Sequence, residues 1–270
     1  MTLERIIHRN IKKTDPDTTV GDIARMMGHH KIGAILLEEQ DCFIGIITEG
    51  SLVRRGLTQS LSYRVPVRTI MDAPLISIDI GQSPIEANHL MHLNGIRHLG
   101  VSQAGRVMGI ISVRDLVRYF ASDTDGPLHR MGDIFQPLTA LMHRNIQTID
   151  IAVHVRGAAQ KMAEKQIGSL IVLQTGEPVG MITETDLVRG VIGKGKDDSV
   201  SVGEIMTSPV LSIDRSRSLQ EANDMMATHK VRHLGVTELG KMIGILSVRD
   251  LIGMISLRDL PRFVRQKDGR

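Results

Sequence analysis

Four near copies of one ten-residue motif dominate this sequence: GIITEGSLVR from Gly45, GIISVRDLVR from Gly109, GMITETDLVR from Gly180 and GILSVRDLIG from Gly244. The opening glycines stand 64, 71 and 64 residues apart, and the first-to-third and second-to-fourth distances are both 135, so the chain is a duplication of a duplication. The segment from Met71 to Leu116 aligns without a gap on that from Met206 to Leu251, sharing SID, EAN, RHLGV and SVRDL. Repetition at this period takes precedence over other signals, because one short unit cannot bury its apolar face alone and must stack on a neighbour.

Each copy closes a unit whose elements read locally. In the second, a short extended piece (Leu75 to Ile78) leads to Ser83-Pro84-Ile85-Glu86, which offers a helix N-cap, a first-turn proline and the acid of a capping box. The helix that follows places Ala87, Leu90 and Met91 on one face, as Ala222, Met225 and Met226 do in the fourth. His98 to Val101 reads as a strand, Gln103 to Gly105 as a turn, Val107 to Ile111 as a second strand and Val113 to Phe120 as a second helix. The expected fold is therefore α+β, four β-α-β-β-α units that pair to bury their apolar faces. The joints rich in Gly, Ser, Asp or Pro are Gly56 to Pro66, Ala121 to Phe135 and Gly193 to Ser201, and the middle one is the expected domain boundary. Repeats are expected over 1–60, 67–122, 137–194 and 202–260, in pairs 1–126 and 131–270.

Composition excludes several classes. The chain has 270 residues with a formal charge of +3 and no long run of like charges, so nothing announces a nucleic-acid or membrane patch. Four Phe, two Tyr and no Trp leave few rings for stacking bases. Cys42 is the only cysteine, which fits a reducing cytoplasm and rules out a thiolate zinc site. Neither a signal-peptide core nor a membrane-length apolar run is present, so a soluble cytoplasmic protein is expected.

The four copies carry Ser112 with Asp115, Thr183 with Asp186, and Ser247 with Asp250, while Thr48 has Ser51 where the acid should be. The spacing admits two readings. Ser/Thr-x-x-Asp is a helix start in which hydroxyl and carboxylate satisfy free amides. The same geometry presents amides and a hydroxyl to a phosphate, with a carboxylate one turn on to accept from ribose hydroxyls. Arg97-His98 and Arg232-His233 precede a strand in the second and fourth copies only, and guanidinium reads phosphate. An exposed strand-end pair with solvated side chains is the alternative.

On these residues the chain resembles the cystathionine β-synthase (CBS) domain family, with four tandem CBS motifs forming two Bateman modules. The resemblance implies regulatory binding of AMP, ADP or ATP, or of S-adenosylmethionine, in clefts between paired repeats. It implies that Asp115, Asp186 and Asp250 hold ribose, and that Ser112, Thr183 and Ser247 meet phosphate, with Thr48 at the same place in the first copy. Arg97, His98, Arg232 and His233 would add phosphate contacts, and Ser77, Thr148 and Ser212 would border the adenine. Gly50-Ser51 departs from the pattern, so the first site is expected to be weak, empty or adapted to another ligand. His29-His30-Lys31 reads as an exposed helix end.

Other features carry less. The echo Gly253 to Leu260 reads as an extension of the last helix, and Arg262 to Arg270 as a solvated tail. His89 and His92 lack further metal ligands, and Gly193-Lys194-Gly195-Lys196 lacks the frame of a phosphate-binding loop. No catalytic set assembles, and the repeats leave no room for a catalytic domain or a helix-turn-helix. The expectation is a homo-oligomeric, dimer-forming sensor of adenosine nucleotides that is not an enzyme, with no cofactor beyond that ligand and an unidentified protein partner. A scaffold with unoccupied clefts is the alternative.

Overall fold

A computed structural model describes residues 2–120 and 137–251; the joint over Ala121 to Phe135, the echo at Gly253 to Leu260 and the basic tail lie outside them. Each repeat builds one three-stranded mixed sheet. In the first repeat, β1 (Lys13–Thr14) is followed by α1 (Val20–His30), β2 (Ala34–Glu39), β3 (Cys42–Thr48) and the helical turn α2 (Glu49–Ser51). The second has β4 (Ser77–Asp79), α3 (Pro84–Leu93), β5 (His98–Gln103), β6 (Arg106–Ser112) and α4 (Val113–Phe120). The third has β7 (Thr148–Asp150), α5 (Val155–Lys165), β8 (Ser169–Gln174), β9 (Glu177–Thr183) and α6 (Glu184–Gly190). The fourth has β10 (Ser212–Asp214), α7 (Leu219–His229), β11 (His233–Glu238) and β12 (Lys241–Ser247), and a helix starts at residue 248.

In every repeat the first strand runs parallel to the second, as a helical crossover requires, and the second runs antiparallel to the third through a tight turn. The caps are those the spacing predicts: Ser83 accepts from the Glu86 N–H while the Glu86 carboxylate reaches back, and Ser218 and Glu221 repeat the arrangement. Ala87 and Met91, like Ala222 and Met226, form the buried i, i+4 row, whereas Leu90 and Met225 are only part-buried. His29 and His30 end α1 exposed, and Lys31 takes the left-handed C-cap conformation. In the first repeat the second helix changes winding, from α2 into a π turn over Leu52–Gly56 and a 3-10 turn over Leu57–Gln59.

The chain divides into two compact units that run across its tandem order. One, the odd unit, comprises Ile11–Ile76 and Ile146–Leu211, which carry the first and third repeats. The other, the even unit, comprises Met1–Asn10, Ser77–Asn145 and Ser212–Arg270, which carry the second and fourth. Helix packing explains the odd unit: Val20, Ile23, Ala24 and Met27 of α1 share a core with Val155, Ala158, Ala159 and Met162 of α5 and with Leu187 and Val188 of α6. Full burial of one such large side chain stabilises by about 1.5–3 kcal/mol. The joints after the first and third repeats also meet, with the Tyr63 hydroxyl donating to the Lys196 carbonyl at 3.0 Å and Ser60 to Asp198.

A second feature closes each unit upon itself. The arm that opens each repeat pairs with the third strand of the repeat beside it: His8 bridges to Ile110, Asp72 to Ile46, His143 to Ile245 and Thr207 to Met181. Each bridge is a two-way backbone pair, such as Asp72 N–H to the Ile46 carbonyl at 2.8 Å and Ile46 N–H to the Asp72 carbonyl at 2.9 Å. The glycine that opens every motif lies under this crossing. A Cβ on Gly109 would stand 2.3 Å from the Ile7 side chain and 2.7 Å from the His8 carbonyl oxygen. On Gly45 it would stand 2.8 Å from the Asp72 carbonyl oxygen, and on Gly180 2.8 Å from that of Thr207.

Candidate functional site

The Ser/Thr-x-x-Asp junction forms in the three repeats that carry the acid. One carboxylate oxygen of Asp115 accepts both the Ser112 N–H, at 2.8 Å, and the Ser112 hydroxyl, at 2.6 Å. Thr183 N–H and hydroxyl donate to Asp186 at 2.8 and 2.7 Å, and those of Ser247 donate to Asp250, both at 2.7 Å. The capping chemistry is therefore present, and it leaves the second carboxylate oxygen of each acid with acceptor capacity. In the first repeat Thr48 caps the Ser51 N–H at 3.1 Å, and the two hydroxyls lie 2.7 Å apart.

The strand pairing brings the basic residues to the junction. His98 at the start of β5 lies opposite Ser112 at the end of β6, and the Arg97 carbonyl accepts the Val113 N–H at 3.0 Å. His233 lies opposite Ser247 in the same way, with the Arg232 carbonyl accepting from Val248 at 3.0 Å. Ser77 and Ser212, on the neighbouring parallel strands, are in register with Gly100 and Gly235, two residues beyond each histidine, while Thr148 is in register with Ile171.

The even unit concentrates positive charge here. Burial, followed by the Arg97 and Arg232 guanidiniums from two different repeats, pushes the His98 imidazole down to about 3; Asp115 opposes this and Arg114 adds to it. An unfolded histidine takes up a proton near 6.5, so the folded state binds fewer protons between these values and stability falls as pH drops below about 6.5. Urea unfolding is expected to show a loss of up to roughly 2 kcal/mol between pH 7 and pH 5, and His98→Gln to flatten that dependence.

The odd unit differs at matching positions. Gly33 and Gly168 replace the arginines, their carbonyls accepting from Glu49 and Glu184 at 3.1 Å. Glu49 and Glu184, in turn, stand where the even unit has Val113 and Val248. Both glutamates are buried, Glu184 completely. Arg54 donates to Glu184 at 2.8 Å, Arg189 approaches Glu49 at 3.8 Å, and the Thr185 hydroxyl donates to Glu49 at 2.9 Å. Burial holds the Asp186 carboxyl above the usual range, against its Thr183 hydrogen bonds, and Glu49 raises it further against Arg189. The third junction is thus less ready to carry charge than its sequence suggests.

Three site residues escape a reading by motif alone. His8 Nε2 lies 2.7 Å from Asp115 Oδ1, and His143 Nε2 lies 2.8 Å from Asp250 Oδ1, so an exposed imidazole from the crossing arm covers the second oxygen of each acid. In the first repeat the arm residue is Asp72, which accepts from Ser51 at 2.5 Å and from Arg55 at 2.6 Å. A signal for the histidines stands in the sequence: His8-Arg-Asn-Ile11 recurs as His143-Arg-Asn-Ile146 at the same 135-residue period.

The CBS domain model matches residues 3–57, 67–122, 138–193 and 202–257. The chain belongs to the CBS-domain family. Its four CBS repeats are arranged as two Bateman modules. The CBS domain-containing protein YhcV of Bacillus subtilis is 27% identical over 137 residues, covering 50% of this chain and 91% of YhcV. CBSCBSPB5 of Arabidopsis thaliana is 22% identical over 278 residues, 87% of this chain and 51% of that one. Among solved structures, a Methanocaldococcus jannaschii protein proposed to be an archaeal homolog of g-AMPK superposes with a TM-score of 0.79 at 17% identity, over 94% of this chain and all of that one. An uncharacterized conserved protein of Pyrococcus horikoshii gives 0.63 at 20% identity with the same coverage. Among the described residues, no helix is long and apolar enough to cross a membrane.

Proposed function

We propose that this CBS protein is a regulatory binder of adenosine nucleotides, AMP, ADP or ATP, with its principal sites at the second and fourth repeats. The observation that carries the reading is the meeting, in the even unit, of Asp115 with Ser112 and of Asp250 with Ser247, with the Arg97 and Arg232 guanidiniums converging on the His98 imidazole beside them. A carboxylate accepts from both hydroxyls of a ribose, and guanidiniums neutralise phosphate. The fold it shares with the Methanocaldococcus jannaschii protein described as a g-AMPK homolog supports the same reading. Ligand preference for one packing of the repeats would transmit the signal to a partner, with the protein acting in the cytoplasm as a homo-oligomer. A scaffold role has one observation in its favour, since each Ser–Asp pair already satisfies itself as a helix cap.

Calorimetric titration with AMP, ADP and ATP separates the two. Asp115→Ala and Asp250→Ala are each expected to weaken binding by about 1–3 kcal/mol, the scale of hydrogen bonds to a charged acceptor. Flat titrations of the wild-type protein at millimolar nucleotide would leave the scaffold reading standing.

A further inference from the structure

We infer that the first repeat keeps a ribose-binding carboxylate, and that Asp72 of the crossing arm supplies it in place of position 51; the inference rests on the nucleotide reading above. Two positions can be compared at every junction, the residue three beyond the Ser/Thr cap and the arm residue bridged to the third strand. The pairs are Asp115 with His8, Asp250 with His143, Asp186 with Thr207, and Ser51 with Asp72. Side-chain contact across the pair is made in the second, fourth and first repeats, at 2.7, 2.8 and 2.5 Å. Each pair holds one carboxylate, and only in the first repeat does it lie on the arm.

The carboxylate of Asp72 is one hydroxyl removed from the cap: Thr48 meets Ser51, and Ser51 donates to Asp72 Oδ2. Arg55 fixes it from the other side, donating to Asp72 Oδ1 and, at 2.7 Å, to the Met71 carbonyl. Two of the roughly four lone-pair positions of a carboxylate are engaged. The Asp72 side chain is 39% exposed, against 10% and 12% for Asp115 and Asp250. It is therefore oriented and open to the hydroxyls of a vicinal diol, for which carboxylate oxygens are acceptors.

Calorimetry in an Asp115→Ala/Asp186→Ala/Asp250→Ala background isolates the first repeat, with AMP and 2′-deoxy-AMP as probes. The background is expected to retain AMP binding, Asp72→Asn to weaken it about tenfold, one hydrogen bond to a charged acceptor, and 2′-deoxy-AMP to bind more weakly than AMP by a similar factor. Ser51→Asp/Asp72→Ser, which returns the acid to the helix, is expected to recover most of the affinity and guards against a folding defect in the asparagine variant. Unchanged AMP affinity in a folded Asp72→Asn protein would show that Asp72 only anchors the arm. A background that binds no AMP, while the wild type does, overturns this inference alone; a wild type that binds none overturns the nucleotide reading with it.

Discussion

Arg54→Ala is expected to lower the unfolding free energy by about 3 kcal/mol in urea titrations at pH 7. Glu184 is fully buried at the first turn of α6, and Arg54 donates to it at 2.8 Å. Removing one member of a buried pair leaves a carboxylate in a medium that solvates it poorly, and that penalty exceeds the net worth of the pair itself. The lower end of the range applies because the Arg54 side chain is 35% exposed. The even unit indicates the compensating change, since it places Val113 and Val248 at the positions of Glu49 and Glu184. Glu184→Val in the Arg54→Ala background should therefore recover most of the loss. A loss below about 0.5 kcal/mol in the single variant, the range of ordinary surface substitutions, would mean that the ion pair does not organise the odd unit.

Gly109→Val is expected to cost about 3 kcal/mol, the upper range for forcing extra atoms into a packed site. The Cβ would lie 2.3 Å from Ile7 and 2.7 Å from the His8 carbonyl oxygen; the Ile7 side chain has some freedom, but the paired backbone of the arm does not. The arm must leave β6 to admit the new side chain. Its two hydrogen bonds with Ile110 and the His8–Asp115 contact go with it. Hydrogen exchange should then show the His8 and Ile110 amides opened well before global unfolding. Protection equal to the wild type at both would refute the steric account.

Much of the fold is legible in the residues because its signals are local. Ser83 and Glu86 are three apart, and the capping box forms wherever the helix does. The alternation of apolar strand and tight turn yields the β5–β6 hairpin with His98 opposite Ser112, so the meeting of Arg97 and His98 with the junction follows from strand pairing alone. The asymmetry between repeats is equally visible, since Gly33 and Gly168 stand where the even repeats have arginine.

The candidate site is only half local. Residue order alone shows four copies of one α+β unit, the Ser/Thr–Asp junctions and the restriction of the Arg-His pair to the second and fourth. Tertiary structure alone decided that the arm of one repeat completes the sheet of its neighbour, placing His8 over Asp115 across 107 residues of chain. It decided likewise that Ser51 is answered by Asp72, so that a repeat lacking the acid on its helix keeps one nearby. The reason is physical. A cap or a hairpin is closed by neighbours in sequence, whereas an unpaired sheet edge and an apolar helix face accept whichever segment the folded chain brings to them.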